Sequence, residues 1–182
     1  TWRSTLAQAA QSAEKLTHLA NQLLSLARIE SGARALTEGG ALRLDLSQLA
    51  RELGMALAPL AHARGVALAL EADAPVWLRG EPTLLNELLS NLVDNAIAHS
   101  PPGSTVILRV KPDGVLEVED DGPGIPEAER EQVFKRFYRS RNEGLGAGLG
   151  LAIVGEICSA HQARISLQQV VPHGLLVRVE FS

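Results

Sequence analysis

Residues 115–126, Val-Leu-Glu-Val-Glu-Asp-Asp-Gly-Pro-Gly-Ile-Pro, constrain this chain more than any other stretch. The run from Val115 to Val118 reads as a strand. It then delivers two carboxylates, Asp120 and Asp121, into a turn that holds Gly122 and Gly124. Glycines leave the backbone open and admit positive φ. A strand that carries an acid into such a turn can present one carboxylate to a planar ligand. The same residues also spell a hairpin turn, and taken alone they favour the turn. Two further stretches shift the balance: Asn91-Leu-Val-Asp-Asn95-Ala and Gly144-Leu-Gly-Ala-Gly-Leu-Gly150-Leu151.

Composition narrows what can surround them. Apolar residues are 46% of the 182, enough for one packed core with an appendage. Aromatics are only 3%, so the core must be aliphatic. A formal charge of −4 argues against a nucleic-acid partner, which calls for a basic face. Cys158 stands alone in an apolar helical pattern, so it reads as a small buried hydrophobe. No apolar run is long enough to span a bilayer. The chain opens without Met and inside a helical pattern, so it reads as a piece of something longer.

In chain order, residues 1 to about 31 read as one helix. Leu6, Ala9, Ala13, Leu16, Ala20, Leu23 and Ala27 fall at three- and four-residue spacings, the seam of a coiled coil or bundle. Such a face needs a partner helix. Gly32 is expected to stop the helix and Gly39-Gly40 to form a joint. The organisation expected is a helical unit over 1–33, a linker over 34–41 and a second unit over 42–182. In that unit Leu42 to Leu46 reads as an edge strand. Ser47 is expected to cap a helix reaching Arg64, with Pro59 as a kink. Strands follow near Val66–Leu70 and Val76–Leu78. Pro82 then opens a helix ending near His99. Two strands flank Pro112-Asp113-Gly114. A short helix is expected from Glu127 to Phe137, a mobile loop from Tyr138 to Gly146, and a last helix from Gly148 to Ala160. A hairpin closes the chain around Pro172-His173-Gly174. The fold class is α+β, a mixed β-sheet with helices packed on one face.

Asn91 and Asn95 are one helical turn apart and share an edge. Amide oxygens suit Mg²⁺, which also takes phosphate oxygens and water; the plain alternative is a pair of solvated amides. Gly146, Gly148 and Gly150 precede an apolar helix, whose first N–H groups could bind phosphate; the plain alternative is a linker. The glycines lack the lysine of a Walker-type loop, and no strand precedes them directly, unlike a Rossmann turn.

Together the stretches resemble a known family. Asn91 to Ala96 resembles the N box of bacterial sensor histidine kinases, and Asp120-Asp-Gly122-Pro-Gly124 their first glycine box. Phe134-Lys-Arg-Phe137 resembles the F box, and Gly146-Ala-Gly148-Leu-Gly150-Leu151 the second glycine box. Order and spacing agree. The resemblance implies a Bergerat-type two-layer ATP-binding domain over residues 42–182, shared with gyrase-type, mismatch-repair and heat-shock-chaperone ATPases. The opening helix looks like the second helix of the family's dimerisation and phosphotransfer hairpin.

The resemblance also implies roles. Asp120 would accept the adenine amino group, with Gly122, Gly124 and Ile125 beside the base. Asn95 would hold Mg²⁺, with Asn91 and His99 near the nucleotide. Phe137, Tyr138 and Arg139 would border it, and Gly146, Gly148, Leu149, Gly150 and Leu151 would wrap the triphosphate. ATP and Mg²⁺ are the implied cofactors. The implied partners are a response-regulator receiver domain and a second copy of the chain through the N-terminal helix. Membrane contact would come only through upstream segments, as in the cytoplasmic domain of a bacterial inner-membrane protein. The chain departs from the family in two places. Ala98 stands where a basic residue is common. None of His18, His62, His99, His161 and His173 sits in a His-Glu/Asp-x-Arg/Lys-Ser/Thr context, so the resemblance implies an acceptor histidine outside the sequence. Two rivals are an ATP-hydrolysing relative, which would carry Glu at the Asn91 position, and a non-catalytic dimerising pseudokinase.

Overall fold

In a computed structural model, residues 27–135, 138 and 150–182 are described, together with the isolated residues 2, 20, 24 and 25. Helix α1 occupies residues 27–37. It is followed by β1 (Leu42–Asp45), α2 (Leu46–Ala63), β2 (Ala67–Glu71), β3 (Trp77–Gly80) and α3 (Pro82–His99). Then come β4 (Thr105–Lys111), β5 (Val115–Asp120), α4 (Gly150–Ala160), β6 (Arg164–Gln169) and β7 (Leu175–Glu180).

The main sheet runs β2-β4-β5-β7-β6, with β2 and β4 parallel and the other pairs antiparallel. A second, two-stranded ribbon joins β1 to β3. Alternation along each strand sends Val106, Leu108, Leu116, Val118, Val177 and Val179 to one face. There they meet Leu85, Leu88, Leu89 and Leu92 of α3 and Val154 and Ile157 of α4 in one core. This is the expected mixed sheet with helices on one face.

The opposite face of the sheet is built from charge. Arg109 on β4 bonds Glu71 on β2 at 2.8 Å and Glu119 on β5 at 2.5 Å. Glu117 on β5 lies between Lys111 and Arg178, each at 2.7 Å, and Arg178 also reaches Glu180 at 2.6 Å. Opposite charges facing one another across strands favour this register.

Several local expectations are corrected. Gly32 does not stop the first helix, which runs to residue 37. Gly32 serves packing instead: a Cβ there would sit 2.7 Å from Leu84 Cδ1 on α3. The helix ends at Gly39, with φ of +86°, where Gly40 N donates to Ala35 O at 2.7 Å and Gly39 N to Leu36 O at 3.3 Å. Asp45, not Ser47, caps α2 by accepting from Ser47 N at 2.9 Å. The Ser47 hydroxyl instead donates to Ala74 O at 2.7 Å. Pro59 lies inside α2 without ending it. The helix expected from Glu127 is a 3₁₀ turn, Glu127–Glu129, followed by turns to Phe134. Most of the N-terminal helical seam, and the loop from 139 to 149, lie outside the described residues; Ala20 and Ala27 of that seam are exposed.

Candidate nucleotide site

The site is centred on the end of β5. Asp120 is only 6% exposed. Its Oδ1 accepts from Gly122 N at 2.8 Å and Leu175 N at 3.3 Å. Its Oδ2 has no partner among the described residues. Burial pushes this carboxyl above the ordinary aspartate range, against the two amides and nearby His99, which pull it down. Asp121, which the sequence places on equal terms, is engaged elsewhere. Its Oδ2 accepts from Thr105 N at 3.0 Å, tying the turn to β4. Only one of the two carboxylates is therefore presented.

The two glycines of the turn act differently. Gly124 has φ of +73°, as expected. Gly122 is needed for space instead: a Cβ there would lie 2.8 Å from Asp120 Oδ1 and 2.9 Å from His99 O. The turn thus crosses the C-terminus of α3 in backbone contact. Ile125 is buried in the core, and its carbonyl accepts from Arg130 Nε at 3.1 Å.

Helix α3 supplies the neighbouring edge. Glu81 caps it, accepting from Leu84 N at 2.6 Å, and Pro82 opens it. Asn91 Nδ2 donates to Glu87 O at 2.8 Å, which leaves Oδ1 facing α4: a Cβ on Gly150 would sit 3.6 Å from it. Asn95 is half-buried and its amide has no hydrogen-bond partner among the described residues. His99 ends α3 beside Gly122. Gly150 starts α4 and Leu151 is buried. The structure therefore gathers Asn91, Asn95, His99, Asp120, Gly122 and Gly150 around one end of the sheet. Tyr138 is half-buried against the core. Phe137, Arg139, Gly146, Gly148 and Leu149 lie outside the described residues. Phe134 packs on α4, 3.4 Å from a Cβ placed on Gly155.

Sequence reasoning missed the β6–β7 tip, which reads only as a hairpin. It cradles the acidic turn. Leu175 N holds Asp120, and His173 Nδ1 lies 3.1 Å from Asp121 O. Gly174, with φ of +126°, passes so close that a Cβ would fall 2.2 Å from Asp120 O. The Gln169 amide fills the space a side chain on Gly124 would take. Gly174 beside an apolar strand was the available signal.

Comparisons with known proteins identify the family. The family described as Histidine kinase-, DNA gyrase B-, and HSP90-like ATPase matches residues 80–182, more than half of the chain. The Sensor protein SphS of Synechococcus elongatus is 34% identical over 181 residues, covering 92% of this chain and 43% of its own length. The Probable sensor histidine kinase TcrY of Mycobacterium tuberculosis is 38% identical, over 89% of this chain and 34% of its own length. The chain thus spans less than half of either relative. Full-length ShkA, crystallised with AMPPNP, superposes with a TM-score of 0.74 at 25% identity, over 98% of this chain and 38% of its own. The chain belongs to the histidine kinase-, DNA gyrase B- and HSP90-like ATPase family, as a catalytic ATP-binding domain of the bacterial sensor histidine kinase type.

Proposed function

We propose that this chain binds ATP with Mg²⁺, and that the longer protein transfers the γ-phosphoryl group to a histidine outside this sequence and then to a receiver-domain aspartate. The observation that carries the reading is the buried Asp120, with Oδ1 held by two backbone amides and Oδ2 without a partner among the described residues. A fixed acceptor of this kind suits the adenine amino group, and guanine offers an oxygen there instead. The AMPPNP bound to ShkA supports a nucleotide ligand. Gly122, Gly124 and Ile125 would flank the base, and Asn91, His99, Gly150 and Leu151 the phosphates. Phe137, Tyr138, Arg139, Gly146, Gly148 and Leu149 would complete the enclosure.

Asn95 fits a Mg²⁺ ligand, because its half-buried amide has no hydrogen-bond partner among the described residues. Among the described residues no group of three His, Cys, Asp or Glu could hold a cation. Phosphate oxygens and water would supply the other ligands. Mg²⁺ would neutralise phosphate charge; the chain's part is to hold the nucleotide in place.

Glu87 bears on the hydrolytic rival. Its carboxylate accepts from Ser25 Oγ and faces Arg28 at 3.7 Å, one turn before Asn91. It is thus engaged with the preceding helical segment, and the Asn91 position offers no general base. We place the catalytic unit at residues 42–182 and the preceding helix in a dimerisation hairpin, with dimerisation and membrane attachment as properties of the longer protein. Among the described residues no helix is long and apolar enough to cross a membrane.

Titration calorimetry tests the nucleotide assignment. Mg-ADP should bind and Mg-GDP should bind more weakly; equal affinities would defeat it. The chain as it stands should not phosphorylate itself, and a version with the preceding helix should. Acid-labile label on the present chain that disappears in His18→Ala would overturn that placement of the acceptor.

A further inference from the structure

β2 is an open edge of the main sheet, and its backbone is divided between two sides. Ala67 N donates to Ser104 O at 2.9 Å, and the parallel register pairs Ala67, Ala69 and Glu71 with Thr105, Ile107 and Arg109. In such a ladder alternate residues bond the same neighbour, so the N–H and C=O groups of Leu68 and Leu70 point away from β4. No described strand pairs with them. The open stretch is closed at both ends: Val66 N donates to Ala61 O at 2.9 Å, and Ala72 O accepts from Arg51 Nη1 at 2.9 Å. Edges of this kind are usually blunted by Lys, Pro, a bulge or a cover. The other edge, β6, exposes Arg164, Gln168 and Gln169. β2 has no polar side chain before Glu71, and Leu70 is 37% exposed. Helix α2, packed on β2, adds no Lys, Arg, Asp or Glu over residues 53–63 and exposes Met55 and Leu60.

The edge is complementary to itself. Two copies run antiparallel about a twofold axis at Ala69 set Leu68 of one opposite Leu70 of the other, and the outward N–H and C=O groups of both residues then pair across the axis. Moving the axis to Leu68 or Leu70 sets one of them against Val66 or Ala72, whose N–H and C=O, respectively, are already used. At the Ala69 axis Ala67 faces Glu71, which keeps Arg109, so no like charges meet. The same axis brings Arg64, just before the strand, beside Asp73, just after it, on the other copy. Both are exposed, and neither makes an ion pair among the described residues; Arg64 acts on Asp94 only at longer range. We propose that β2 pairs antiparallel with β2 of a second copy of this chain and joins the two main sheets into one. This interface involves neither the helical seam of residues 1–31 nor the nucleotide site.

Cysteine cross-linking of the whole chain tests the register. Ala69 lies on the axis at a non-hydrogen-bonded position, where paired Cβ atoms are about 4.5 Å apart and a disulfide can close. Under mild oxidation Ala69→Cys should form a linked dimer about tenfold or more faster than Ala67→Cys, which lies opposite Glu71. The native Cys158 is buried and should not contribute. In the Ala69→Cys background, Leu70→Lys should slow the cross-link. Arg64→Asp and Asp73→Arg should each slow it too, and the double swap should recover the parent rate, a rescue that follows only if the two side chains meet across copies. Circular dichroism melts should be unchanged by the swaps, since both positions are exposed; if Leu70→Lys lowers the melt, the swaps decide. A dimer held only by the helical segment would link both cysteines alike. The proposal is overturned if Ala69→Cys cross-links no faster than Ala67→Cys, or if the double swap does not recover.

Discussion

Asp120 Oδ1 accepts the amide proton of Leu175 at 3.3 Å, across 55 residues of sequence. The presented acid is thus fixed from two directions, by its own turn and by the start of β7. Gly174 makes the approach possible, because any side chain there would strike the Asp120 carbonyl. The candidate base-binding group is held by backbone, which costs no reorganisation when a ligand arrives.

Asp120→Asn should separate binding from stability. The amide oxygen can keep both backbone contacts, while the free position becomes a donor. Nucleotide affinity should fall by roughly 1–3 kcal/mol, read by calorimetry. Stability should move the other way. The folded pKa is raised, so the folded state binds the proton more tightly, and stability rises as pH falls through the raised value toward the ordinary ~3.9. Removing the buried charge should raise the melting temperature at neutral pH and flatten that acid-side rise. An unchanged melting curve at both pH values would contradict it.

Gly174→Ala should be the most damaging glycine change at the site. It combines a φ of +126° with a Cβ 2.2 Å from backbone. Overpacking of this kind costs about 1–3 kcal/mol or more. Calorimetry should show lost ADP binding, and urea unfolding a lower midpoint. Gly39→Ala, at a positive φ with open space, should cost less and spare binding.

His161 should make the fold acid-sensitive. Nε2 accepts from Glu81 N at 3.1 Å and Nδ1 donates to Ile157 O at 2.9 Å, so the ring joins the end of α4 to the cap of α3 while neutral. Burial lowers its pKa, with Ile157 and Glu81 opposing. The unfolded state therefore takes the proton first. Stability should drop as pH falls below ~6.5 and level off below the folded value. Chemical unfolding between pH 8 and 5 would measure it. His161→Ala should cost about 1–3 kcal/mol at neutral pH by stranding the Glu81 amide, and should remove the slope.

Glu117 should anchor the charged face. It is 3% exposed. Burial pulls its pKa up, but Lys111 and Arg178 outweigh burial and the result is lowered. Its contribution is present above the ordinary glutamate value, ~4.3, and is lost as pH falls through the folded one. Glu117→Ala would leave two cations facing each other and should cost about 1–3 kcal/mol, a loss that added salt reduces. A salt-independent loss would point to packing instead.

What the sequence determined was local and periodic. Helix and strand periods placed α2, α3 and the strands within a residue or two, because burial on one face imposes those periods. The two amides of α3 and the acid before Gly122 were legible because each depends on neighbours within a turn or two. Tertiary structure decided the rest. It chose Asp120 over Asp121, since burial and Thr105 N distinguish two carboxylates that are adjacent in sequence. It converted Gly32 from a stop to a packing contact, because Leu84 needs the space. It brought Leu175 and Gly174 to the site. Each of these relations joins residues far apart in the chain, where sequence periodicity carries no information and only the packing of sheet against helix fixes the distance.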